Sequence, residues 1–147
     1  MALIGSFLPL ADDGLVFYFM YRDYKKWHIL KSSIEKSYKQ QLFKEREIWW
    51  CSLGANVGFE QDGKNDNFEK PVLVLRKFNS SMFWGLPLTS QPKKGRYYFS
   101  FYFKDREITI ILSQLRILSF KRMIRRVGKV NVTKFNDISC RFKDLLN

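Results

Sequence analysis

The sequence is poor in the residues that most often carry catalysis and metal binding. It has a single histidine, His28, so a two-histidine acid–base pair and a His-rich metal site are excluded within the chain. Its two cysteines, Cys51 and Cys140, form no CxxC and no zinc-type spacing. They read as buried thiols of a reducing compartment. Acid is scarce too, with 14 Asp and Glu against 26 Lys and Arg, for a net charge of +12. Long hydrophobic runs are missing. Leu3–Leu10 and Leu15–Met20 are both far shorter than the roughly 20 residues needed to cross a bilayer. No Lys or Arg precedes the first run, which fits a secretory signal peptide poorly.

The content is nonetheless that of a folded domain. Of 147 residues, 46% are apolar and 17% aromatic, enough for one sizeable core, which excludes disorder or coiled coil as a description of the chain. A small, aromatic-rich, strongly basic domain points to a polyanionic partner, nucleic acid foremost. The competing reading is that the charge serves solubility alone.

The charge is unevenly distributed. Residues 1–21 carry only Asp12 and Asp13, and residues 22–46 are net +5. Residues 47–75 are net −3, with Glu60, Asp62, Asp66 and Glu69 close together, and residues 76–147 are net +12. An acidic loop therefore interrupts a basic chain. Residues 1–20 read as an N-terminal extension in which Asp13-Gly14 offers a hairpin turn, or else as a segment upstream of a true start at Met20.

Residues 21–45 form an N-terminal helical region. Tyr24, Trp27, Leu30, Ile34 and Tyr38 recur at helical spacing, predicting a helix over 22–42 with a Lys-rich exposed face. From Glu47 the period becomes strand-like. Strands are expected at Glu47–Leu53, Pro71–Lys77, Met82–Leu88, Arg96–Phe103, Glu107–Leu112 and near Arg126–Val130. Gly54–Glu69 and Gln91–Gly95 are loops, Ser113–Leu118 is extended, and Ser119–Ile124 is one helical turn. Thr133 is expected to cap a final helix with Phe135, Ile138, Phe142 and Leu145 on its apolar face. Many short strands with frequent turns predict a mainly β, α+β fold, a small barrel or sandwich.

Several stretches resemble landmarks of the MazF/PemK family of toxins from type II toxin–antitoxin systems. They are Glu47-Ile48-Trp49-Trp50, Gly58-Phe59-Glu60-Gln61 with Gly63, Lys70-Pro71-Val72-Leu73-Val74-Leu75, Pro87-Leu88-Thr89-Ser90 and Ser113-Gln114-Leu115-Arg116-Ile117. The resemblance covers residues 46–147 as a toxin domain, and leaves the N-terminal helix outside. It implies an SH3-like barrel of the MazF/CcdB type, a homodimer, a cognate antitoxin as partner, a cytoplasmic location without membrane association, and metal-independent cleavage of single-stranded RNA without a cofactor. Three departures stand out. Lys70 occupies the place of the family's usual arginine, the loop from Gly63 to Lys70 is longer, and Arg46 stands where glycine is common. The acidic residues that some relatives carry near Ser113 are also absent.

Metal-free RNA cleavage needs a base near the 2′-hydroxyl, a cation or donors for the phosphorane, and a proton for the leaving 5′-oxygen. By resemblance, Lys70 and Thr89 match the family's catalytic basic residue and hydroxyl. Glu60, in the glycine-flanked loop, is the candidate base. Gln61 would read a base edge and Phe59 would stack on a base. Ser90, Lys93 and Lys94 would meet the RNA. Lys121, Arg122, Arg125 and Arg126 form the densest basic cluster, suited to RNA phosphate or an acidic antitoxin tail. Trp27 and Trp50 read as packing residues, Gln114 and Arg116 as structural, and His28 as solvent-facing. The alternative is a protein of the same fold that binds nucleic acid or a protein target without cutting.

Overall fold

The computed structural model describes residues 6–7, 18–19 and 21–147. Near the N-terminus, β1 (Ser6–Phe7) pairs antiparallel with β2 (Tyr18–Phe19). The expected turn at Asp13-Gly14 and the alternative start at Met20 lie outside the described residues. Helix α1 (Tyr24–Glu35) follows. Seven strands then form one antiparallel sheet: β3 (Glu47–Ser52), β4 (Glu69–Lys77), β5 (Met82–Thr89), β6 (Tyr98–Phe103), β7 (Arg106–Ile111), β8 (Arg116–Ser119) and β9 (Met123–Lys129). Helix α2 (Val132–Asp144) ends the fold.

The strand order is β6-β7-β5-β4-β3-β9, and β8 also pairs with β5. Strand β5 is long enough to serve two neighbours on one edge. Its Met82–Gly85 half pairs with β8, and Leu88-Thr89 pairs with β7. The continuous apolar run of β4 is explained by burial on both faces. Leu73 and Leu75 join a core with Ile48, Leu86, Leu88, Phe101 and Ile110, which α2 covers through Ile138. Val72 and Val74 face a second core with Phe43, Trp49, Phe83 and Leu118. Such two-sided burial removes alternation from a strand's sequence.

Four expectations need correction. The barrel is not closed by strand pairing, since β6 and β9 share no ladder. Side chains bridge the gap instead. Lys104 Nζ donates to the Val127 carbonyl, and Gly128 admits the Phe103 ring, which a Cβ would approach to 2.8 Å. Helix α1 ends at Glu35 rather than continuing to 42. Tyr38 and Leu42 keep the helical spacing but are 99% and 90% exposed, so nothing packs against a longer helix, whereas Phe43 is buried. The cap of α2 is Asn131, whose side chain accepts from the Lys134 N–H at 2.8 Å, not Thr133. Ser113–Leu118 is also split, into a 3-10 turn at Leu112–Gln114 and strand β8. No helix among the described residues is long and apolar enough to cross a membrane.

Candidate active site

Lys70 lies near the start of β4 and Thr89 ends β5. The antiparallel register places Val72 against Pro87. The ladder ends there, with Lys70 two residues before Val72 and paired to Cys51 of β3, and Thr89 two residues after Pro87 and paired to Thr109 of β7. Both residues line a groove of about 740 Å³ and also an adjoining one of about 540 Å³, which contains Ser90. The first groove also takes in Phe59, Glu60, Gln61 and Lys93. The fold thus brings together, around two strand ends, seven of the eight residues singled out from the sequence. Lys94 is exposed in the 91–97 loop and lines neither groove.

Lys70 is only 9% exposed. Burial holds its ammonium below the ordinary lysine pKa; Lys64 pushes the same way, and Asp62 opposes both. Among the described residues, no ion pair or hydrogen bond occupies the Lys70 ammonium, so its charge is available to the groove. The Thr89 hydroxyl accepts from the Gln91 N–H at 3.2 Å and keeps its own proton to donate.

The loop 54–68 forms the opposite wall and is held from several sides. Glu60 Oε1 accepts from the Val57 N–H at 2.9 Å, which leaves its second oxygen for other partners. Phe59 is 97% exposed, a free aromatic face at the groove. The Asn56 amide donates to the Gln61 carbonyl at 2.8 Å. Gln114, read from sequence as structural, clamps the loop tip: its Oε1 accepts from the Gln61 N–H at 3.3 Å and its Nε2 donates to the Phe59 carbonyl at 3.2 Å. Arg116 donates to the Leu53 carbonyl at 3.1 Å. Burial lowers its pKa, and Glu60 and Asp62 oppose that shift.

Asp62 is the site residue that sequence reasoning passed over. It lines the groove, accepts from the Asn56 N–H at 2.7 Å and pairs with Arg22 Nε at 2.5 Å. Its position inside the Gly58-to-Gly63 block was the available signal.

Each of the four cations of the dense basic cluster has a partner within the chain. Arg122 donates to the Ser52 carbonyl at 2.9 Å, and Lys121 to the Glu35 carbonyl at 2.7 Å. Arg125 makes a two-pronged pair with Glu69 at 3.1 and 3.2 Å and stacks 4.8 Å from the Trp50 ring, while Arg126 pairs with buried Glu47 at 3.2 Å. These cations tie β9 and the turn before it to β3, β4 and α1. Among the described residues, no three His, Cys, Asp or Glu side chains converge as metal ligands.

Comparison with known proteins agrees with this architecture. No curated protein sequence matches the chain significantly. Among solved structures, MazF (Form-I) from Deinococcus radiodurans superposes with a TM-score of 0.58 at 14% identity, over 72% of this chain and 97% of that one. An endoribonuclease from a mycobacterial species, solved in complex with its cognate antitoxin, gives 0.55 at 14% identity, over 71% and 95%. At that identity the likeness shows the fold alone. The family match is broader evidence, because residues 44–146 fit the PemK-like, MazF-like toxins of type II toxin–antitoxin systems as one continuous segment. The chain belongs to that toxin family.

Proposed function

We propose that this toxin is an endoribonuclease that cuts single-stranded RNA, mRNA in the cell, by attack of the 2′-hydroxyl on the adjacent phosphorus. The observation that carries the reading is the meeting of Lys70 and Thr89 at one groove, faced by the loop that presents Phe59 and Glu60. In this mechanism the 2′-oxygen forms a bond to phosphorus while the bond to the 5′-oxygen breaks. The Glu60 carboxylate takes the 2′-proton. The Lys70 ammonium and the Thr89 hydroxyl stabilise the phosphorane oxygens. A depressed pKa also suits Lys70 to deliver the proton that the 5′-oxygen needs. The chemistry uses groups of the chain alone and leaves a 2′,3′-cyclic phosphate and a 5′-hydroxyl. Phe59 stacks on a base, Gln61 reads a base edge, and Ser90, Lys93 and Lys94 meet the backbone.

The same reading makes the protein a homodimer of the cytoplasm, silenced by a cognate antitoxin. The mycobacterial neighbour, solved with its antitoxin, supports that partnership. The toxin domain is then residues 46–147, preceded by the helical region 21–45 and the extension 1–20.

One observation favours a second reading, a binder that does not cut. Lysine carries the charge at position 70 but not the planar fork with which arginine grips two phosphate oxygens. Incubation of a long RNA with the toxin in EDTA separates the two. Cuts at a repeated short sequence, with the product ends named above, and their loss in Lys70→Ala and Thr89→Ala support the enzyme. Retarded but intact RNA supports the binder.

A further inference from the structure

The family segment begins at residue 44, yet the groove has a wall built from residues before it. Tyr21, Arg22 and Asp23 line the same space as Lys70 and Thr89. The N-terminal end of helix α1 and the residues before it are fastened to the site loop. Arg22 uses both arms of its guanidinium, Nε to Asp62 Oδ2 at 2.5 Å and Nη2 to the Gly58 carbonyl at 2.6 Å. The Tyr24 hydroxyl donates to the Asn56 carbonyl at 2.7 Å, and Lys26 Nζ pairs with Asp66 at 2.5 Å. Trp27, buried, lies against Gly54 and 5.5 Å from the Phe68 ring. Every one of these contacts falls between residues 54 and 68. In effect, the loop that carries Phe59 and Glu60 is mounted on α1.

Tyr21 holds the end of this wall. It is 55% exposed and lines the groove together with Phe59, so two accessible aromatic rings border the space that contains Lys70. Exposed aromatics along a groove with free cations are the elements by which proteins hold unpaired nucleotides, because every base offers a face for stacking. Tyr24 does not line the groove and its hydroxyl is committed to Asn56, so among the described residues Tyr21 is the exposed ring at this end of the groove.

We propose that residues 21–27 are a working part of the substrate site: Tyr21 stacks on an unpaired base of the RNA beyond the cleaved step, and Arg22 is a positioning residue that sets the 58–62 loop. This rests on the RNA reading of the groove and extends it to a wall that the family segment does not include. It makes Tyr21 a determinant of which nucleotides are held, and Arg22 a determinant of how well Glu60 is placed.

The test uses the full chain and compares Tyr21→Ala, Tyr21→Phe and Arg22→Lys with wild type. On a single-stranded RNA substrate, Tyr21→Ala is expected to raise KM about 5- to 150-fold, the range of one lost stacking contact, with kcat little changed. It should also flatten base preference on one side of the cut. Tyr21→Phe, which keeps the ring, should restore both. Arg22→Lys keeps the charge toward Asp62 but loses the second arm to Gly58, and should lower kcat more than it raises KM. Wild-type KM and cutting pattern in Tyr21→Ala would overturn the inference while leaving the nuclease reading intact. Should wild type leave RNA uncut, the nuclease reading fails, and the comparison moves to fluorescence anisotropy of a short labelled single-stranded RNA. There, weaker binding by Tyr21→Ala but not by Tyr21→Phe supports the wall, and equal affinities, or no binding by wild type, overturn it.

Discussion

The side-chain amide of Gln114 holds the backbone of Gln61 across 53 residues of sequence, accepting from its N–H at 3.3 Å while donating to the carbonyl of Phe59 at 3.2 Å. One side chain thus fixes the tip of the loop that bears Glu60, and does so from the 3-10 turn after β7. Gln114→Ala removes both bonds. Each is worth about 1 kcal/mol net, so the loop tip loosens while the core is untouched. The expected outcome is a loss of about tenfold in kcat/KM with little change in Tm, read by cleavage kinetics and thermal unfolding side by side. Gln114→Glu keeps the acceptor and should retain part of the activity. A fall in Tm as large as that of a core mutant would instead make Gln114 a purely structural residue.

Lys70 carries a pH dependence whose sign is fixed by burial. Its folded pKa lies below the ordinary lysine value, mainly because burial disfavours the ammonium. Between the folded and unfolded pKa values the unfolded chain binds more protons, so stability rises with pH through that window. At neutral pH the charged ammonium is therefore a cost to folding. Lys70→Met should therefore raise Tm at pH 7 and abolish cleavage. In the wild type, kcat should decline on the alkaline side at a pH below the ordinary lysine value. Lys70→Arg should move that decline upward, since a guanidinium stays charged, and should lower kcat at neutral pH, since a guanidinium gives up its proton poorly. Identical alkaline limbs in the two proteins would remove Lys70 from the catalytic step.

The extent to which the sequence foretold this differs between strands and contacts. Strands β3 to β7 and the apolar face of α2 were legible because burial imposes a period that local residues report. Lys70 and Thr89 were legible as strand ends next to recognisable landmarks. The length of α1 was not, because Tyr38 and Leu42 carry helical spacing without any surface to bury against, while Phe43 is drawn into the second core. The roles of Gln114, Asp62 and Arg22 were hidden for another reason. Each acts through partners 6 to 55 residues away, and nothing in local composition records such pairings. The partners of the basic cluster at 121–126 were hidden in the same way, since Lys121, Arg125 and Arg126 meet Glu35, Glu69 and Glu47, and Arg122 the Ser52 carbonyl, only once the chain is folded.

The two cysteines should react very differently. Cys51 is fully buried in β3, and burial pushes its thiol well above the ordinary range, whereas Cys140 is exposed on α2. The expectation of two buried thiols holds for Cys51 alone. Native protein treated with iodoacetamide should gain one adduct, at Cys140, by peptide mass spectrometry. A second adduct should appear only in denaturant.

Arg46 occupies a left-handed backbone position, with φ at 73°, where it donates its N–H to the Val74 carbonyl at 3.0 Å and accepts from the Val130 N–H at 2.9 Å. The conformation is demanded by those two bonds, which tie the entry of β3 to β4 and to the end of β9. A Cβ there costs about 1–2 kcal/mol, against about 0.4–1 kcal/mol for the extra freedom glycine brings to the unfolded chain. Arg46→Gly should thus leave the protein equally stable or more stable by up to about 1.6 kcal/mol in urea unfolding. Clear destabilisation would mean that the Arg46 side chain contributes packing that outweighs the backbone strain.

Gly54 and Trp27 form the opposite case, a glycine that cannot be replaced. Gly54 has φ at 91°, and a Cβ built on it would lie 2.3 Å from the Trp27 ring. Gly54→Ala therefore meets both backbone strain and a clash that the buried indole can relieve only by moving. Strain and overpacking each cost about 1–3 kcal/mol. The more telling consequence is where the displacement goes. Trp27 is the apolar anchor of α1 on the 54–68 loop, so shifting it should loosen the helix before it unfolds the sheet. Hydrogen exchange is the discriminating measurement. In Gly54→Ala, amides of residues 27–35 should lose protection by tenfold or more, while those of β4 and β5 keep theirs relative to global stability. Uniform loss across the sheet would show instead that α1 and the sheet unfold as one unit, and that the helix is as integral to the fold as the strands.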